Sequence, residues 1–177
     1  MKSSLIILSF FISSLAIAQE QSSAKIPGQT SFYAELGGPG ILFSANIDQR
    51  FKKSPFGIGG RIGLGFVSGY DIVGSTNPNG FSNQRSVVTI PLQLNYIFGK
   101  PNSVNALEVG GGVTFAGKKL NVFDDYNSPG RSVFGTASFM YRRMPKEGGF
   151  SWRAGFTPII TGGYIQPLGA VSVGYNF

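Results

Sequence analysis

The chain has 177 residues, a formal net charge of +7, 26 glycines and only 13% charged residues. Charge is at about half the ~25% of soluble globular proteins and glycine at about twice its ~7% share, while the apolar fraction is an ordinary 42%. A charged disordered chain is therefore excluded. With no cysteine and no histidine, so are disulfide frameworks, thiolate or imidazole zinc sites and histidine-activated nucleophiles.

The chain opens with Met1, Lys2 and two serines, then an apolar run from Leu5 to Leu15 that ends at Ala16-Ile17-Ala18. A positive start, an apolar stretch and an A-x-A site predict a secretory signal peptide over residues 1–18, cleaved after Ala18. The apolar run is short of the ~20 residues that a spanning helix needs. Residues 19–30 are polar, contain Pro27 and Gly28, and read as a flexible periplasmic arm.

From residue 31 the period is two rather than 3.6, the mark of strands with two unlike faces. Eight segments follow: 31–37, 41–51, 56–67, 87–98, 106–115, 132–142, 150–160 and 168–177. Most have the ~9–11 residue length of transmembrane β-strands. In the fourth, Val88, Ile90, Leu92, Leu94, Tyr96 and Phe98 alternate with Thr89, Pro91, Gln93 and Asn95. The third, seventh and eighth repeat the pattern, and Gln49 is the one polar side chain on any apolar face. Pro91 falls inside its strand, where proline normally marks an edge or a bulge, so a local bulge is expected there.

Two capacities decide which face is outside. An eight-stranded barrel has an interior only wide enough for side chains to fill, and the apolar faces are too large for it. The other faces carry Glu35, Asp48, Arg50, Arg61, Glu108, Arg142 and Arg153, far short of the ~25–35% charge of a soluble surface. The expectation is an all-β fold, an eight-stranded antiparallel up-and-down transmembrane β-barrel over residues 31–177, with the apolar face toward lipid and the charged residues in the lumen.

Short connections at 52–55, 99–105 and 143–149 alternate with 38–40, 68–86, 116–131 and 161–167. Short turns face the periplasm in bacterial barrels, which places both termini there. Phe32, Phe51, Phe56, Tyr96, Phe98, Tyr141, Phe150, Trp152, Tyr175 and Phe177 then gather at the periplasmic rim as an aromatic girdle, with Phe43, Phe66 and Phe115 at the other.

The last strand, with Val171, Val173, Tyr175 and terminal Phe177 in one phase, resembles the C-terminal signal read by outer-membrane assembly machinery. That resemblance implies Val173, Tyr175 and Phe177 as assembly determinants. The mature chain resembles small outer-membrane barrels of the OmpA transmembrane-domain and OmpX type. More narrowly, Tyr33-Ala-Glu-Leu-Gly-Gly-Pro-Gly40, Ser44-Ala-Asn46 with Arg50-Phe51, and Arg153-Ala-Gly-Phe-Thr-Pro158 resemble uncharacterised Bacteroidota-type outer-membrane barrels, a resemblance that brings no activity.

The lumen charges fit either a channel lining or an ion-pair network. Eight strands favour the network, since open pores belong to barrels of roughly sixteen or more. With no base of near-neutral pKa and no nucleophile motif, no enzymatic activity and no cofactor are expected. Asp124-Asp125 lacks the six to eight oxygens that Ca²⁺ takes, so no metal is assigned. Outer-membrane lipids, and lipopolysaccharide phosphates met by basic residues near the loop bases, are the expected contacts. The scattered charge argues against nucleic acid. The role expected is structural or surface-interacting, through loop aromatics such as Tyr70, Phe81, Phe123 and Tyr126, with a small porin-like transporter as the alternative.

Overall fold

A computed structural model of the chain describes residues 29–70, 84–120 and 131–177. The expected signal peptide, most of the expected arm and the greater part of connections 68–86 and 116–131 lie outside the described residues. The strands are β1 (Thr30–Gly37), β2 (Phe43–Arg50), β3 (Gly57–Tyr70), β4 (Gln84–Gly99), β5 (Asn105–Leu120), β6 (Arg131–Arg143), β7 (Gly149–Phe156), β8 (Ile159–Thr161), β9 (Tyr164–Gln166) and β10 (Gly169–Asn176). A 3-10 turn, Gly38–Gly40, lies between β1 and β2.

Each strand from β1 to β6 pairs antiparallel with the next, and β10 closes the ring by pairing with β7 and β1. The wall is crossed eight times because β7 and β8 form one interrupted crossing, and β9 and β10 another. Proline has no N–H for the ladder, and Pro158 marks the first break. The wall holds across it: the Ala137 N–H donates to the Pro158 carbonyl at 3.0 Å, and the Thr157 N–H to the Leu168 carbonyl at 2.7 Å. Beyond the break β8 pairs with β6, and β9 with β8. The fold is the closed eight-stranded antiparallel barrel that the alternation predicts, and closure satisfies the backbone along the wall.

The wall is uneven in height. β3, β4, β5 and β6 have 14, 16, 16 and 13 residues, whereas β1 and β2 have 8 each. The bulge expected at Pro91 is absent. The β3–β4 register passes from Ile62↔Leu92 to Gly65↔Thr89 with no residue gained or lost, and Pro91 pairs with Thr114 on its other side. Its missing N–H shows instead as a lapse in the β3–β4 ladder. The buried ring sits beside Gly63, where an added Cβ would stand 3.0 Å from the Pro91 Cγ. The register shift lies in β5, between Phe115 and Leu120.

The two faces separate by burial. Val88, Ile90, Leu92, Leu94, Tyr96 and Phe98 are exposed on the outside of β4, while Thr89, Gln93 and Asn95 are buried within. Outward aromatics meet in tilted pairs at the rim that carries the C-terminus: Tyr96–Phe98, Tyr141–Trp152 and Tyr175–Phe177, with centroids 4.5, 5.3 and 5.0 Å apart. Phe56 departs from the expected girdle. Gly57, at φ +91°, reverses the chain ahead of β3, and Phe56 packs against Ile97, Ala106 and Met144 at the mouth of the lumen. A second apolar cluster, Val87, Ala116, Phe134 and Ile159 with Ile41 and Leu168 against it, lies toward the other end. The lumen is thus polar in the middle and apolar near both mouths.

Candidate functional site in the lumen

The inward phase of six strands carries the charged groups, as a strand period of two requires. Glu35 stands on β1, Asp48 and Arg50 on β2, Arg61 on β3, Glu108 on β5, Arg142 on β6 and Arg153 on β7. All seven are at most 3% exposed. Four arginines therefore meet three carboxylates in a space closed to bulk solvent, where an unpartnered charge would cost several kcal/mol.

Glu108 is the hub. Arg61 donates to its Oε1, Arg153 Nη1 lies 3.0 and 3.1 Å from its two oxygens, and Arg142 Nη1 is 3.1 Å from Oε2. Arg142 also reaches Asp48 Oδ2 at 3.0 Å, and Arg50 pairs with the other oxygen of Asp48. Arg153 Nη2 donates to Glu35 Oε2 at 2.6 Å. Every one of the seven charges belongs to this one connected network. Charge-assisted bonds of this kind are about twice as strong as neutral ones, and burial in low dielectric strengthens them further.

Neutral side chains complete the network, and the charge pattern alone did not reveal them. Asn95 donates to Asp48 Oδ2 at 3.1 Å and accepts from Arg50. Gln93 accepts from Arg61 at 2.9 Å and donates to Thr136 at 2.8 Å. Ser31 accepts from Arg142 at 2.6 Å, and Ser172 from Arg153 at 3.0 Å. Tyr33 is fully buried beneath two guanidiniums, with Arg153 Cζ 3.7 Å and Arg61 Cζ 5.3 Å from its ring centroid, a cation–π arrangement. An inward tyrosine in the same phase as Glu35 was the available sign.

Room for these groups comes from inward glycines on neighbouring strands. A Cβ on Gly59 would lie 2.2 Å from the Arg50 guanidinium carbon, one on Gly63 2.1 Å from Asn46 Oδ1, and one on Gly174 2.4 Å from the Tyr33 Cβ. Each large side chain is laid across a position that has none.

The 3-10 turn Gly38–Gly40 is buried rather than standing outside as a loop. Gly37 and Gly38, at φ +72° and +75°, take a backbone that favours glycine and fold the chain into the barrel. There the Thr89 hydroxyl donates to the Gly40 carbonyl at 3.1 Å and the Thr114 hydroxyl to the Pro39 carbonyl at 2.8 Å. Residues 38–40, a plain connection by sequence, form a plug above the charge network.

The remaining sequence-derived positions lie apart from the lumen. Val173, Tyr175 and Phe177 are 49 to 52% exposed on the outward face, and the Phe177 N–H donates to the Thr30 carbonyl at 2.8 Å. Among the described residues no group of three or more acidic side chains is placed to hold a metal.

A side-chain-filled lumen within an inside-out wall defines the architecture of a small eight-stranded membrane barrel, and comparison with known proteins agrees. No family model and no curated protein matches the chain. Among solved structures it is similar to the N-terminal β-barrel domain of Pseudomonas aeruginosa OprF, at TM-score 0.56 and 15% identity, over 85% of this chain and 99% of that one. It is also similar to the Yersinia pestis outer membrane protein Ail in a phospholipid bilayer nanodisc, at TM-score 0.52 and 13% identity, with the same coverage. These likenesses establish a shared fold. Neither carries the narrower resemblance to Bacteroidota-type barrels.

Proposed function

We propose that the protein is an integral barrel of the bacterial outer membrane with a sealed lumen, acting in a structural or surface-interaction role and performing no catalysis. The observation that carries this reading is the filling of the barrel: seven charged side chains in one ion-pair network, with a buried turn and an apolar cluster beyond it. Interactions with the outside then fall to the connections at the tall end of the wall. Short turns face the periplasm in such barrels, which supports reading the rim that carries Thr30 and Phe177 as the periplasmic one. Lipopolysaccharide phosphates are the proposed contacts of the basic residues Lys118, Lys119 and Arg131 at the opposite rim.

Planar-bilayer conductance of the refolded protein tests the sealed lumen. The expected record has no stable single-channel steps. Discrete steps that vanish in the Arg61→Ala/Arg153→Ala variant would establish the alternative, a small transporter or pore lined by these groups.

A further inference from the structure

One stretch of the lipid-facing wall is not filled by side chains. Gln49, Gly60, Leu94 and Gly111 follow one another in register across β2 to β5, and two of these four have no side chain to offer. The result is a groove of about 500 Å³ in the outer wall. Its lower end is bounded by Phe51, whose Cζ would lie 3.1 Å from a Cβ on Gly60.

The groove climbs. Gln49 is the last residue but one of β2, next to the rim, whereas Gly111 stands six residues into β5, about 20 Å along the strand at ~3.3 Å per residue. Arg61 and Gln93 also border it, but their buried side chains bond to one another within the lumen, so the side chains turned outward along it are apolar except for Gln49. That side chain is held by the Thr30 hydroxyl, which donates to its Oε1 at 2.6 Å, and by its own donation to the Arg50 carbonyl at 3.2 Å. A carboxamide has two N–H donors, so one is left over. Directly after Phe51, at the rim end, come the exposed Lys52 and Lys53. The other turns of this rim add exposed Lys100, Arg143 and Lys146 against the single acid Glu147.

An apolar slot that begins at two ammonium groups and rises to mid-wall, with an amide donor at the transition, matches the amphipathic order of a phospholipid. We propose that it holds one anionic phospholipid. An acyl chain lies over Gly60 and Gly111, an ester carbonyl meets Gln49, and the headgroup phosphate sits between Lys52 and Lys53. Lysine suits phosphate as a point charge, and each basic residue near a surface favours anionic lipid by a several-fold factor. The proposal rests on the barrel standing in a bilayer.

Native mass spectrometry tests it on the mature protein released from nanodiscs holding equal amounts of palmitoyl-oleoyl phosphatidylglycerol and phosphatidylcholine. The wild type is expected to retain one phosphatidylglycerol with a preference on the order of tenfold over phosphatidylcholine. Lys52→Gln/Lys53→Gln should bring that ratio to about parity, and Lys146→Gln, in the β6–β7 turn across the ring on the same rim, should change it by less than about twofold. Gly111→Leu, whose new Cβ meets nothing nearer than the Thr136 carbonyl at 3.8 Å, should abolish retention of both lipids while the unheated gel mobility stays that of the folded barrel. Equal retention of the two lipids by the wild type overturns the proposal. So does a phosphatidylglycerol preference that survives the Lys52/Lys53 change, or that falls as far on changing Lys146 alone. Should Gly111→Leu not fold, the lysine variants decide alone. A chain that does not enter nanodiscs contradicts the barrel reading itself, whereas one that enters without lipid preference contradicts this proposal only.

Discussion

Glu108 stands where three arginines from three strands converge, so its removal strands more charge than any other single change in the lumen. Breaking a buried pair by deleting one partner costs about 3–5 kcal/mol, because the charge left behind has no water to receive it. Glu108→Ala is therefore expected to lower unfolding stability by about that amount, read as the urea midpoint in phospholipid vesicles. The exposed Lys146→Ala should move it by less than ~0.5 kcal/mol. The inward placement of Glu108 and the other six charges was legible because a strand's side chains alternate strictly, so Glu35 shares its phase with Ser31 and Tyr33, and Arg61 with Gly59 and Gly63. Which acid faces which arginine was not. Arg153 and Glu35 are 118 positions apart in the chain, and only the closed ring brings them to hydrogen-bond distance. Phe56 leaves the expected girdle for a local reason. The two-residue phase runs through it into Ile58, but Gly57 at φ +91° ends the strand geometry between them.

Among the elements, the turn Gly38–Gly40 was the least legible, since a Gly-Gly-Pro-Gly connection reads as an exposed loop. What turns it inward is tertiary: two threonine hydroxyls on β4 and β5 supply the donors its buried carbonyls need. Thr89→Val and Thr114→Val each leave one of those carbonyls unsatisfied, at about 1–3 kcal/mol. The double variant should unfold at correspondingly lower urea in vesicles, and an unchanged midpoint would show that the turn is held by other means. Pro91 disturbs the ladder without adding a residue to it. A missing N–H predicts a defect in the ladder, and the defect is there, yet the lumen has room for the ring beside Gly63 and the register needs no extra residue. At the C-terminal strand β10, Phe177 lies outward beside Tyr175, with its N–H on β1. Deleting Phe177 is expected to reduce the amount of protein assembled in the outer membrane severalfold, as measured by quantitative blotting of membrane fractions. Normal levels would contradict its role as an assembly determinant.

At the scale of the whole molecule, low charge and abundant glycine are two consequences of one geometry. The exterior meets hydrocarbon and has no use for charge, and the lumen is narrow, so arginine, asparagine and tyrosine side chains fit only where a facing position is glycine. The period of two and the segment lengths made the barrel legible. The break at Pro158 follows from the same missing N–H that marks Pro91, whereas the extra height of β3 to β6 was not legible, because it depends on how far neighbouring strands extend once paired. The central claim is that the apolar face is the outer one, in contact with lipid. Trp152 is the chain's one tryptophan and lies half-buried on that face beside Tyr141. Its fluorescence in vesicles containing brominated phospholipids is the direct measurement. Strong quenching is predicted, greatest with bromines near the ester end of the acyl chain, as a rim position requires. Fluorescence indifferent to bromine at every depth would place Trp152 away from lipid and contradict the inside-out barrel.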